Sequence, residues 1–120
     1  MTRKEYTHTR DLTFSGWIRE NLPDSSTGLL VTDLDFIVYN WKKKKILLLE
    51  IKTRNTPLKN WQQRLFDKLS KWIAKGIDDD WTYLGFHTLK FEKTFFNDGK
   101  CYLDNKLISE KDLIEKFNKL

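Results

Sequence analysis

Cysteine is nearly absent: Cys101 stands alone in 120 residues, so no internal disulfide can form and nothing asks for an oxidising compartment. Proline, with two residues, and glycine, with five, are scarce. No Pro/Gly/Ser-rich linker, internal repeat or low-complexity tract marks a boundary. The length therefore reads as a single domain, residues 1–120, large enough to bury one core. No apolar run approaches the ~18 residues of a membrane-spanning helix. Residues 1–10 lack the charged-then-apolar order of a leader, so the expectation is a soluble, cytoplasmic protein without a membrane partner. His8 and His87 have no metal-ligand spacing.

What the chain has is positive charge and rings. The net charge is +5 and aromatics make up 14% of residues. That balance permits a polyanion such as nucleic acid as partner, although a solvated basic surface on an ordinary domain explains the charge equally well.

Periodicity places the elements. Over residues 10–22, Leu12, Phe14, Trp17, Ile18 and Leu22 fall near helical spacing, with Gly16 inside the run and Pro23 ending it. Residues 29–40 and 45–54 read as two strands joined by a short polar turn. Pro57 suits a first helical position, and Leu58, Trp61, Leu65, Leu69, Trp72 and Ile73 form a stripe that stops at Gly76. Residues 81–92 are strand-like, "FFNDGKCYL" is a hairpin candidate, and Ser109 with Asp112 opens a closing helix. Trp61, Trp72 and Trp81 are assigned to the core. Trp17 and Trp41 are free either to stack on bases or to do nothing of the kind.

The strand "KILLLEIK" is interrupted near its end by Glu50 and Lys52, although charged residues are seldom buried unless paired or holding a metal. If Asn40 and Lys45 close a four-residue loop, the register sets Asp35 against Glu50 and Asp33 against Lys52, all on one face. Opposed carboxylates repel. A cation between them relieves that repulsion, and magnesium suits the pair because it takes oxygen ligands and keeps positions for water and phosphate. A carboxylate-bound metal beside a polyanion suggests phosphodiester hydrolysis, with Lys52 placed to orient water or to stabilise charge on the phosphate.

"TDLD", followed by "EIK" with its Glu fifteen positions after the second Asp, resembles the PD-(D/E)xK nuclease superfamily, and small size and basic composition resemble its minimal, phage-type members. The resemblance spans residues 28–63. It implies an α/β restriction-endonuclease-like fold, a mixed sheet flanked by helices. It also implies a magnesium site in which manganese substitutes, DNA as substrate, the host-cell cytoplasm if phage-encoded, and a homodimer presenting two sites to a duplex. By position, Asp35 and Glu50 are the metal ligands and Lys52 the catalytic lysine. Leu34 stands where the motif usually has proline, and Asp33 is a rival for the ligand role. Glu20, in "WIREN", matches the first-helix glutamate that completes the metal shell in several members. Gln62, with Phe66 four residues on, resembles a QxxxY arrangement without the hydroxyl. Lys42, Lys43, Lys44 and Arg54 are the candidate phosphate contacts.

Plainer readings stand beside these. Asp35, Glu50 and Lys52 also fit a surface ion-pair cluster at a sheet end, which leaves Asp35 opposite Glu50 unexplained. Glu20 fits an exposed charge near a helix end, Gln62 an ordinary helix position, and the lysine run a soluble hairpin tip. Two other functions share the pattern: a catalytically inactive nucleic-acid-binding module on the same fold, and a protein-interaction domain with a fortuitous motif.

Overall fold

The computed structural model describes residues 6–120 in two units, the first ending at Asp33 and the second spanning Leu34–Leu120. Side chains are described from Thr13 onward, Ser25 excepted, so what the sequence suggested for residues 1–5 and for the side chains of His8 and Leu12 lies outside the described residues. In the first unit, helix α1 runs over Tyr6–Asn21, which contains most of the predicted segment and starts earlier. Its end is closed by the Leu22 amide on the Ile18 carbonyl at 2.9 Å and by the Asn21 side chain on the Trp17 carbonyl at 2.9 Å. Phe14 stacks on Trp17 with ring centroids 5.6 Å apart.

The second unit is a five-stranded sheet with two helices. Its strands are β1 (Phe36–Asn40), β2 (Lys45–Lys52), β3 (Thr82–Phe91), β4 (Cys101–Leu103) and β5 (Lys106–Leu107), in the spatial order of the sequence. Neighbours are antiparallel except β2 and β3, which are parallel. A parallel pair needs a crossover, and helix α2 (Asn60–Gly76) supplies it. Helix α3 (Glu110–Asn118) begins where predicted, with Ser109 Oγ accepting from the Asp112 amide at 3.1 Å. The architecture is mixed α/β, and among the described residues no helix is long and apolar enough to cross a membrane.

Alternation along the strands divides the sheet into two faces. Leu47, Leu49, Leu89, Phe91, Cys101 and Leu103 point one way and form the core with Leu113 of α3. On the other face α2 packs on β3: Phe66 stacks on Phe86 at 4.7 Å, and the Tyr83 hydroxyl donates to Ser70 Oγ at 2.9 Å. Glu50 and Lys52 belong to this second face.

Four expectations change. The strand predicted at residues 29–40 begins only at Phe36. Its partner β2 runs three residues past Leu49 and ends at Lys52, where Arg54 and Asn55 turn the chain through left-handed φ values of 55° and 56°, so in this register residues 29–32 have no ladder backbone to pair with. Helix α2 starts at Asn60 with Lys59 as its cap, three residues beyond Pro57, because Gln62 Oε1 receives the Lys59 amide at 3.3 Å. Trp72 is 61% exposed and not in the core. The inward face of α2 carries Gln62 and Phe66, buried, and runs on to Ile73, which turns Trp72 outward. Strand β5 has no counterpart in the sequence reading, and Asp104 and Asn105, at φ values of 50° and 68°, make the two-residue left-handed turn that such a hairpin requires.

One irregularity matters for the site. Ile46 pairs with Tyr83 but Leu48 pairs with Phe86, so β3 holds one extra residue. Gly85, at φ 93°, takes the conformation that this bulge needs. His87 braces it, with Nε2 2.6 Å from the Leu84 carbonyl and Nδ1 2.6 Å from Asp104 Oδ2.

Candidate active site

The β1–β2 ladder pairs Phe36 with Leu49 and Asn40 with Lys45, the register read from the sequence. Asp35 sits one residue ahead of the ladder and opposite Glu50. The Asp35 amide donates to Glu50 Oε1 at 3.2 Å, and Asp35 Oδ2 receives the Ile51 amide at 2.8 Å. A side chain thus takes a backbone donor that a longer β1 would have used, which is a further reason why the strand starts late.

Glu50 is only 3% exposed, while Asp35 is open to solvent. Burial, the hydrogen bond with the Asp35 side chain and the charge of Asp35, in that order, raise the Glu50 carboxyl to a pKa of about 7. Lys52 Nζ pulls the other way from 3.8 Å. Below about pH 7 the raised Glu50 pKa favours a proton on the pair, and above it both carboxylates are charged and repel.

Lys52 also donates to Gln62 Oε1 at 3.4 Å. Gln62, 7% exposed, therefore ties the start of α2 to the end of β2. An ordinary polar helix position would face solvent. The signal for its burial was in the sequence, since Gln62 and Phe66 are four apart and share one helix face.

The remaining candidates are placed as follows. Glu20 is exposed on α1 and Asp33 is exposed, both in the first unit. Lys42, Lys43 and Lys44 form the β1–β2 turn, where Asn40 Oδ1 accepts the Lys42 and Lys43 amides at 3.1 and 3.0 Å. Lys44 pairs with Asp80 at 2.5 Å and Lys42 lies 5.4 Å from the centre of the exposed Trp41 ring. Arg54 is exposed in the turn after β2, and its amide donates to the Lys93 carbonyl at 2.7 Å. An apolar groove of about 400 Å³ at the other end of this face is lined by Tyr39, Ile46, Ile73 and Trp81, and the carboxylates are not part of it.

Asp35 and Glu50 offer oxygen donors alone, and among the described residues no group of three or more His, Cys, Asp or Glu comes together. Two carboxylates are what magnesium commonly takes from a protein, with water and phosphate completing its shell. The donor set fits a hard divalent cation.

No protein-family model matches the chain, and no solved structure matches it. Among curated proteins it is similar to an uncharacterized protein of Archaeoglobus fulgidus, 30% identical over 93 residues, or 77% of this chain. The chain spans 61% of that relative's length, and the relative's description assigns it no activity.

Proposed function

We propose that the chain is a magnesium-dependent deoxyribonuclease of the restriction-endonuclease-like type, acting on DNA with Asp35, Glu50 and Lys52. The observation that carries this reading is the opposition of Asp35 and Glu50 at a strand end, with Lys52 two residues further on the same face. A structural ion-pair cluster has no use for a carboxylate that is buried beside a second one, its pKa raised to about 7 first by burial and then by Asp35.

Asp35 and Glu50 would hold the ion. Bound there, magnesium supplies a water of lowered pKa and neutralises charge on the phosphate. Lys52, held by Gln62 and Glu50, presents its ammonium to the attacking water or to the phosphate oxygens as charge develops. The buried end of the pair, Glu50, fixes the geometry, and the exposed end, Asp35, leaves the approach open. A homodimer presenting two such sites would cut both strands of a duplex.

The test is to incubate the full chain with supercoiled plasmid, linear duplex and branched DNA, with and without magnesium, beside Lys52→Ala. Magnesium-dependent cleavage of at least one substrate, lost in the variant, is expected. No cleavage of any substrate with magnesium or manganese would overturn the reading.

A further inference from the structure

Lys52 has a second lysine at its side. It pairs directly with Lys90 of β3, and Lys90 pairs in turn with Tyr102 of β4. Leu89, Phe91, Cys101 and Leu103 point into the core, so Lys90 and Tyr102 face the other way, on the face of Glu50 and Lys52. Like charges opposite one another on neighbouring strands repel. The contact that Lys90 makes is uncharged, Asn105 Oδ1 at 3.2 Å, and among the described residues it has no ion-pair partner. An anion relieves this pair as a cation relieves the carboxylates.

The juxtaposition depends on the bulge. Without the extra residue in β3, the hydrophobic Leu89 would stand opposite Lys52 and Lys90 would point into the core. Asp104, in the turn between β4 and β5, secures the shifted register by accepting the Thr88 amide at 3.0 Å as well as bonding His87.

We propose that Lys90 and Tyr102 form a phosphate subsite beside Lys52 that binds the backbone of the cleaved strand at the phosphate next to the scissile one. This rests on the nuclease reading for the identity of the strand. An ammonium offers three donors and a full charge to phosphate oxygens, and the Tyr102 hydroxyl adds a neutral donor. Neighbouring strands lie about 4.8 Å apart, so Lys90 serves a phosphate adjacent to the one at Lys52. The strand would then run across the sheet from β2 toward β4.

The experiment uses the full chain, a fluorescent oligonucleotide and a salt series without metal, followed by cleavage kinetics with magnesium. Lys90→Ala is compared with Tyr102→Phe, Lys52→Ala and Lys111→Ala, the last an exposed lysine of α3 on the opposite side of the sheet. Losing one phosphate contact should reduce the slope of log affinity against log salt by about 0.7 to 0.9. The expected result is that drop for Lys90→Ala and none for Lys111→Ala, a KM raised more than kcat falls, and a melting temperature equal to or above wild type. If wild type cleaves and Lys90→Ala matches it in slope and KM, the subsite is overturned and the nuclease reading stands. If nothing cleaves but the slope still drops for Lys90→Ala, the nuclease reading fails and the phosphate site stands. A slope change accompanied by a lower melting temperature, not recovered in Lys90→Gln, assigns Lys90 to the fold and overturns the subsite.

Discussion

Asp35 and Glu50 are each held by the other's strand: the Asp35 amide donates to Glu50 Oε1, and the Asp35 carboxylate receives the amide of Ile51, the residue after Glu50. Neither acid is free to swing away from its neighbour. The repulsion between them is part of the folded state.

Replacing Glu50 with Gln removes one of the two charges and keeps the shape. The metal-free variant should be more stable than wild type by a few tenths to about 1 kcal/mol at pH 8, the scale of a cross-strand pair. Magnesium should raise the melting temperature of wild type and leave that of the variant nearly unmoved, because an amide is a poorer partner for a hard cation. Calorimetry with and without magnesium checks both.

The same pair makes stability depend on pH. Folding raises the Glu50 pKa from 4.5 to about 7, so between these values the folded chain binds more protons than the unfolded one. Stability from this group is complete below about pH 4.5 and is lost as pH rises through 7. Urea titrations of the metal-free protein should show this fall, and Glu50→Gln should flatten it. A wild-type stability that rises over the same interval would contradict the assigned proton.

The register of this hairpin was legible because a short polar loop and strand alternation admit few pairings, and one parity brings the carboxylates together. Lys52 followed from the same alternation. The late start of β1 was not legible, since it depends on Asp35 capturing a backbone amide and on the turn at Arg54 and Asn55. The pairing of Lys52 with Lys90 depends on one extra residue at Gly85, which no hydrophobic pattern reveals. The QxxxY-like spacing singles out Gln62, but its hold on Lys52 follows from where α2 meets the sheet.

Gln62→Leu should preserve most of the volume and remove the acceptor for Lys52 Nζ and the Lys59 amide. Cleavage should fall about 10- to 100-fold, the range for residues that orient a site from behind it. Gln62→Glu should recover part of the loss by restoring an acceptor. Single-turnover rates for the two variants give the answer.

Phe66 seats α2, and with it Gln62, on the sheet through its stack on Phe86. Phe66→Ala should destabilise the chain by about 3 to 5 kcal/mol, as for other fully buried aromatics. A denaturant midpoint within error of wild type would remove this helix as the support of the site.

The central claim is that Asp35 and Glu50 serve a divalent cation in cutting DNA. It is tested most directly by the single-turnover cleavage rate of a labelled DNA in saturating magnesium, wild type against Glu50→Gln. A loss of about 100-fold or more in a variant that melts at or above the wild-type temperature in chelator is the predicted result. Equal rates, or a variant that melts earlier while cleaving normally, would contradict it.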